Sequence, residues 1–256
     1  VSNDLQNSGR FKVTGRNSLS MFPSDANAVS KDYFRSLGTD NVVVGKVSSI
    51  GGGRYQVSFQ LLDMFRGKGA SSIVLDDKFT VSGGELRKVA HHISDLIYEQ
   101  ITGTRGVFST KIAYVVIQRY NNGTAHYSLE VSDQDGYNPR PLLNSSEPIM
   151  SPSWSPNGRQ LAYVSFEKHK AAIFIQDVAS GSRRLLSEFP GINGAPAWSP
   201  DGRKLALVLS KSGSPNIYVM DVASGSLTQV THDFYINTEP SWAPNGRTLI
   251  YTSNRS

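Results

Sequence analysis

The chain has 256 residues, a net charge of +5 and a pI near 9.3, with 38% hydrophobic residues, 10% aromatic residues and no cysteine. That composition allows one large or two medium globular domains and excludes disulfides and thiolate chemistry. It contains no apolar run of the ~18 residues that a membrane-spanning helix needs. Lys and Arg are scattered, with no basic run interleaved with stacking aromatics, so no nucleic-acid partner is expected.

In chain order, Val1 to Ser8 reads as the last turns of a helix, with Leu5 inward and Gly9 as its stop. A chain that opens on Val1 inside a helix reads as a fragment or a processed form, so a missing leader says nothing about location. Phe11-Lys12-Val13 reads as a short strand. Pro23-Ser24-Asp25 supplies an N-cap, and Asp25 to Leu37 reads as a helix stopped by Gly38. Asn41 to Ile50 and Arg54 to Asp63 read as a hairpin about Gly51-Gly52-Gly53, followed by a third strand over Ser72 to Val81. Glu85 to Ile101 reads as an amphipathic helix, with Leu86, Val89, Ile93, Leu96, Ile97 and Ile101 on one face and Gly103 as its stop. Of the neighbours His91 and His92 on that helix, one is expected to face solvent and the other to pack at the edge of the apolar stripe. Residues 1–104 are thus expected to form a small α+β domain, N-terminally truncated, with sheet and helices segregated.

Residues 105–256 have a different texture: strands only, built on a repeat. Trp198-Ser199-Pro200-Asp201-Gly202-Arg203 has a copy 44 residues earlier at Trp154-Ser155-Pro156-Asn157-Gly158-Arg159 and another 44 later at Trp242-Ala243-Pro244-Asn245-Gly246-Arg247. Asp177-Val178-Ala179-Ser180-Gly181 repeats as Asp221-Val222-Ala223-Ser224-Gly225 at the same offset. A period of roughly 40 to 50 residues is one four-stranded blade of a β-propeller. Pro-Asp-Gly or Pro-Asn-Gly makes a tight turn, and the Asp of Asp-Val-Ala-Ser-Gly caps backbone amides while its Gly takes the left-handed position. Asp133 precedes Asp177 by 44, which marks a degenerate first blade. About three and a half blades are expected, and a chain that stops at Ser256 after one hairpin reads as truncated at its C-terminus.

Enzyme signals are weak. There is no Gly-x-Ser-x-Gly elbow, and His91, His92, His126, His169 and His232 show no metal-ligand spacing. Gly51-Gly52-Gly53 is not followed by Lys-Ser/Thr, so it is not a phosphate loop. Asp177 and Asp221 are expected to cap turns, not to catalyse. No cofactor or metal is expected.

The order of a small α+β domain and then blades built on Trp-Ser-Pro-Asp-Gly-Arg-x-Leu-Ala resembles the TolB family. So do Asn3-Asp4-Leu5, Leu61-Leu62-Asp63, Phe108-Ser109-Thr110-Lys111, Asn193-Gly194-Ala195-Pro196 and Asn237-Thr238-Glu239-Pro240. The resemblance implies a six-bladed propeller in a non-enzymatic, monomeric protein of the periplasm. It implies binding of the peptidoglycan-associated lipoprotein Pal at the propeller's channel, which colicins also use. TolA is engaged in the family by an N-terminal tail that lies upstream of Val1, and the whole serves outer-membrane integrity and cell division.

In a propeller, the loop entering each innermost strand lines one mouth of the channel. Those loops lead into Met150-Ser151, Ile192-Asn193-Gly194-Ala195 and Thr238-Glu239, with Ser151, Ala195 and Glu239 equivalent on successive blades. Ala195, Thr238 and Glu239 match family positions that contact Pal. Ile192 stands where a histidine is familiar, and the polar contact is expected to shift to Asn193. Two other readings compete: a propeller gating a serine peptidase whose catalytic domain is absent from this chain, and a lyase-type propeller. The second would need a His and Arg cluster at the channel, which these loops lack.

Overall fold

The structure, a computed structural model, describes residues 1–67 and 72–255. It divides into two compact units, Val1–Thr110 and Lys111–Ser256.

The first unit opens with α1 (Ser2–Asn7) and turns at Gly9, φ 68°. No strand forms at 11–13. Phe11 and Val13 pack their side chains onto the core, but their backbone joins no ladder among the described residues. The helix expected over 25–37 is split. The Asp25 carboxylate accepts from the Asn27 and Ala28 amides and caps one 3-10 turn, Ala26–Ala28. Val29 and Ser30 are extended, and the Ser30 hydroxyl accepts from the Tyr33 amide to start α2 (Lys31–Ser36). Two capping side chains within six residues divide what the apolar spacing alone would join.

Strands β1 (Asn41–Gly51), β2 (Arg54–Asp63) and β3 (Ile73–Ser82) form one antiparallel sheet in that order. Gly52 and Gly53, at φ 59° and 71°, make the two-residue turn of the first hairpin. Alternation along β2 feeds two cores. Val57, Phe59 and Leu61 meet Val89, Ile93 and Ile97 of α3 (Leu86–Thr102), whereas Leu62 joins Val42, Val44, Met64 and Phe34. The Ser82 amide and hydroxyl both donate to the Glu85 carboxylate just before α3, and Gly103 closes the helix in the left-handed region.

The buried side of α3 is more polar than its apolar stripe announces. Ile101 is exposed, while His91, Ser94 and Asp95 are buried. The Asp4 carboxylate accepts from Ser94 Oγ at 2.6 Å and lies 2.9 Å from His91 Nδ1. His91 is therefore the inward member of the histidine pair, and His92 is exposed. The Asp95 carboxylate accepts from the backbone amides of Phe108 and Ser109, and from the Ser109 hydroxyl. Gly106 passes so close that a Cβ there would lie 2.5 Å from the Asp95 Cα. These bonds, with Phe108 in the core, tie residues 105–110 to the first unit, six residues beyond the expected boundary at 104.

Among the described residues of the second unit the regular elements are all strands. A three-stranded sheet holds β4 (Lys111–Arg119), β5 (Ala125–Asp133) and β6 (Arg140–Ser145). Two four-stranded sheets follow. The first comprises β7 (Ile149–Trp154), β8 (Gln160–Ser165), β9 (Ala172–Asp177) and β10 (Arg183–Ser187). The second comprises β11 (Asn193–Trp198), β12 (Lys204–Leu209), β13 (Asn216–Asp221) and β14 (Leu227–Gln229). A hairpin of β15 (Asn237–Trp242) and β16 (Leu249–Ser253) ends the series. Every pairing is antiparallel between chain neighbours, as in propeller blades. The pairs Lys111↔Asp133, Gln160↔Asp177 and Lys204↔Asp221 align β4 with β8 and β12, so the three-stranded sheet supplies the second, third and fourth strands of a blade.

The central strands β8, β9, β12 and β13 are buried on both faces because neighbouring sheets cover them. From β8, Ala162 and Val164 pack against Trp198, Leu205, Leu207 and Leu209 of the following sheet. Leu161 and Tyr163 point the other way, onto Leu129 and Val131. The turns are built as their residues dictate. Asp201 Oδ1 accepts from Ser199 Oγ and the Arg203 amide, and Asn157 Oδ1 does the same with Ser155 and Arg159. Gly158, Gly202 and Gly246 all adopt positive φ. Successive sheets are also joined by polar bonds: the indole of Trp198 donates to the Ser153 carbonyl, and that of Trp242 to the Ala197 carbonyl, at 3.2 and 3.1 Å.

Candidate protein-binding mouth

The inner strands β7, β11 and β15 lie side by side, and each breaks register at the same place. The breaks fall between Met150 and Ser153, between Gly194 and Ala197, and between Thr238 and Ser241. Within each break two inner-strand residues oppose one on the next strand, which is a β-bulge. Its first residue has a left-handed backbone: Ser151 at φ 51°, Ala195 at 45° and Glu239 at 51°. None of the three is glycine, and each precedes a proline, a position that favours extended backbone. Each such residue costs about 1–2 kcal/mol relative to its relaxed form. The strain is held three times by the same surroundings: the chain after the second strand of each sheet, β8, β12 and β16, is bonded back onto the mouth by Phe166 N to Pro148 O, Ser210 N to Ile192 O and Asn254 N to Ile236 O.

The eight residues expected at the mouth divide into three groups. Met150, Ser151, Ile192 and Glu239 are exposed, and Gly194, Ala195 and Thr238 are half-buried. Asn193 is 1% exposed, which does not fit the expectation that a partner contact moves onto its side chain. Its amide is consumed internally: Oδ1 accepts from Ser187 Oγ and the Phe189 amide, and Nδ2 donates to the Phe189 carbonyl. Asn237, 44 residues on, is buried in the same way and donates to Asp233 and Asn216. Both asparagines hold the loop that presents their neighbours.

Sequence reading missed the groups that hold the mouth from outside. Ser210 Oγ accepts from the Ile192 amide and Asn254 Oδ1 from the Ile236 amide, both at 2.7 Å. Their separation of 44 residues was the available signal. The structure brings five of the expected residues together: Met150, Ser151, Ile192, Asn193 and Gly194 line one groove of about 460 Å³ between adjacent sheets. Ala195, Thr238 and Glu239 do not line it.

The arrangement of acids and hydroxyls is that of turns. Asp177 accepts from the Ala179 and Ser180 amides, and Asp221 from those of Ala223 and Ser224. These bonds, the Ser180 and Ser224 amides first, hold both carboxyls below the ordinary aspartate value. The one buried Asp, His and Ser group among the described residues, in the first unit, has the wrong order for nucleophile activation: Ser94 Oγ donates to Asp4 and not to a histidine nitrogen. Among the described residues no helix is long and apolar enough to cross a membrane.

Known proteins share both halves of this chain. The family model for the TolB amino-terminal domain matches residues 1–70, and that for the TolB beta propeller domain matches residues 98–256. The Tol-Pal system protein TolB of Coxiella burnetii is 52% identical over 196 residues, covering 76% of this chain and 44% of the relative. That of Legionella pneumophila strain Paris is 53% identical over the same length and coverage. The chain therefore spans less than half the length of these curated relatives. The crystal structure of TolB from Acinetobacter baumannii superposes with a TM-score of 0.87 at 36% identity, covering 99% of this chain and 62% of that one. With one model matching most of its length and a second matching its beginning, the chain belongs to the TolB family.

Proposed function

We propose that this chain is a non-enzymatic, periplasmic protein–protein interaction scaffold of the Tol-Pal system. In this reading it is a monomer that binds the lipoprotein Pal at the propeller mouth and helps to maintain outer-membrane integrity and envelope constriction at division. The observation that carries the reading is the bulge repeated at Ser151, Ala195 and Glu239. Strain kept at equivalent positions of successive blades is characteristic of a surface pre-organised for a partner. The capped carboxylates Asp177 and Asp221 support a binding role over catalysis, since their lone pairs are engaged by the turns they close.

The test is calorimetry of the full-length protein with the soluble Pal domain, alongside Glu239→Ala. Tight binding that weakens by at least ~1 kcal/mol in the variant, the cost of removing a significant interface residue, is expected. Binding indifferent to Glu239 would leave the function and remove this residue from the site. No binding by the unaltered protein would overturn the reading and make a peptidase assay the next step.

A further inference from the structure

The groove beside the mouth is chemically simpler than the mouth itself. Its outer walls are Met150 and Ile192, large apolar side chains that are 52% and 47% exposed. Val164, which is buried, and Phe166 and Ala171, both half-buried, also line it. One exposed apolar side chain is ordinary on a protein surface. Two across a concavity of about 460 Å³, within the roughly 300–1,000 Å³ range of ligand clefts, are not. The walls are also fixed. Asn193 is tied to Ser187 and Phe189, and a Cβ on Gly191 would lie 2.2 Å from Ser210 Oγ, so the backbone there sits against its neighbour.

A single charged residue, Lys170, lines the groove, with its side chain 63% exposed. Glu188 holds its ammonium at 3.0 Å and holds Lys168 at 3.3 Å. Lys170 thus shares its carboxylate with a second cation, so its ammonium is not spent on Glu188 alone. Because Ser151 and Ile192 belong to both the groove and the mouth, a partner seated at the mouth would reach the groove without a break in the surface.

We infer that this groove is a side-chain pocket for the protein bound at the mouth, taking an apolar side chain of that partner next to a carboxylate that meets Lys170. The inference rests on the reading of the mouth as a protein-binding site. An apolar anchor in a preformed cleft, oriented by one charge at its rim, is how interfaces concentrate affinity in a few residues.

The experiment uses the full-length protein and soluble Pal domain, with Ile192→Ser, Lys170→Glu and, as the comparison away from the mouth, Leu185→Ser. Leu185 lies on β10, the strand of its sheet farthest from β7, and is 41% exposed. All three sites are exposed, and unchanged thermal melts will show that the variants fold. The expected result is a tenfold or greater loss for Ile192→Ser and for Lys170→Glu with little change for Leu185→Ser. Lys170→Met should also flatten the salt dependence of binding. If the unaltered protein binds and the two groove variants bind equally well, the groove is not used and the mouth reading stands. Equal losses in all three variants would mean an effect not confined to the groove and would also overturn the pocket. If the unaltered protein does not bind, the reading of the mouth falls and this inference falls with it.

Discussion

The two units hold their buried polar groups in different ways. In Val1–Thr110 each polar arrangement occurs once: Asp4 with His91 and Ser94, and Asp95 with the Phe108–Ser109 backbone. In the second unit three devices recur at a 44-residue interval, the Trp-to-carbonyl bond, the Asp-capped turn and the pre-proline bulge, beside single arrangements such as Tyr163 with Gln176. A repeated device spreads its stabilisation over several equal contacts, so the loss of one leaves the others intact. A unique device has no substitute. The non-repeating unit is therefore expected to be the more sensitive to a single polar deletion.

Asp95→Ala should give the largest effect, because it strands the buried Phe108 amide and the Ser109 amide together. A loss of about 3 kcal/mol in chemical denaturation is expected, with faster hydrogen exchange at Phe108 and Ser109. Trp198→Phe removes one inter-sheet bond and part of a buried ring, and should cost about 2 kcal/mol. If Trp198→Phe proves the more damaging, the contrast between unique and repeated contacts is wrong. Ser151→Gly sharpens the comparison from the other side. It relieves a left-handed backbone and should change stability by no more than about 1 kcal/mol, since the relief offsets the added freedom of the unfolded chain.

The smallest effect should be present at neutral pH and fade in acid. The Asp177, Asp201 and Asp221 carboxyls are held below the ordinary aspartate value, the first and third chiefly by the Ser180 and Ser224 amides, and Asp201 chiefly by the Ser199 hydroxyl. With the folded value lowered, their stabilisation is present above the unfolded value of about 3.9 and is lost as the pH falls through the folded one. Asp221→Asn should thus lower stability slightly at neutral pH, and the difference from the unaltered protein should close as the pH falls below about 4, which flattens the acid limb. An unaltered acid limb would remove this carboxylate from the account.

The repeat made the second unit legible. Once the Trp-Ser-Pro turns and Asp-Val-Ala-Ser-Gly turns were placed, the strands between them had little freedom, and the sheets follow that spacing. The first unit was legible where the apolar period was long, as in α3, and misread where it was short. At 25–37 a helical spacing spans Ser30, whose hydroxyl starts a new helix, and at 11–13 apolar side chains serve a core with no strand alongside to accept a ladder. At the mouth the residues were identifiable from their equivalence, but their conformation was not. A residue before proline reads as extended, and the bulges and the bonds from the following chain that hold Ser151, Ala195 and Glu239 otherwise come from tertiary structure. Asn193 misled for the opposite reason: polar and next to an exposed residue, it looked available, while its amide was already committed to the loop.

The Trp bond between sheets also has a direction. Trp198 donates to a carbonyl of the strand series before it, and Trp242 repeats this one blade later; each indole reaches back towards the N-terminus. A chain that emerges N-terminus first presents both of these tryptophans to an acceptor that has already been made. The two inter-sheet bonds can therefore be added in chain order, each indole meeting a partner already synthesised.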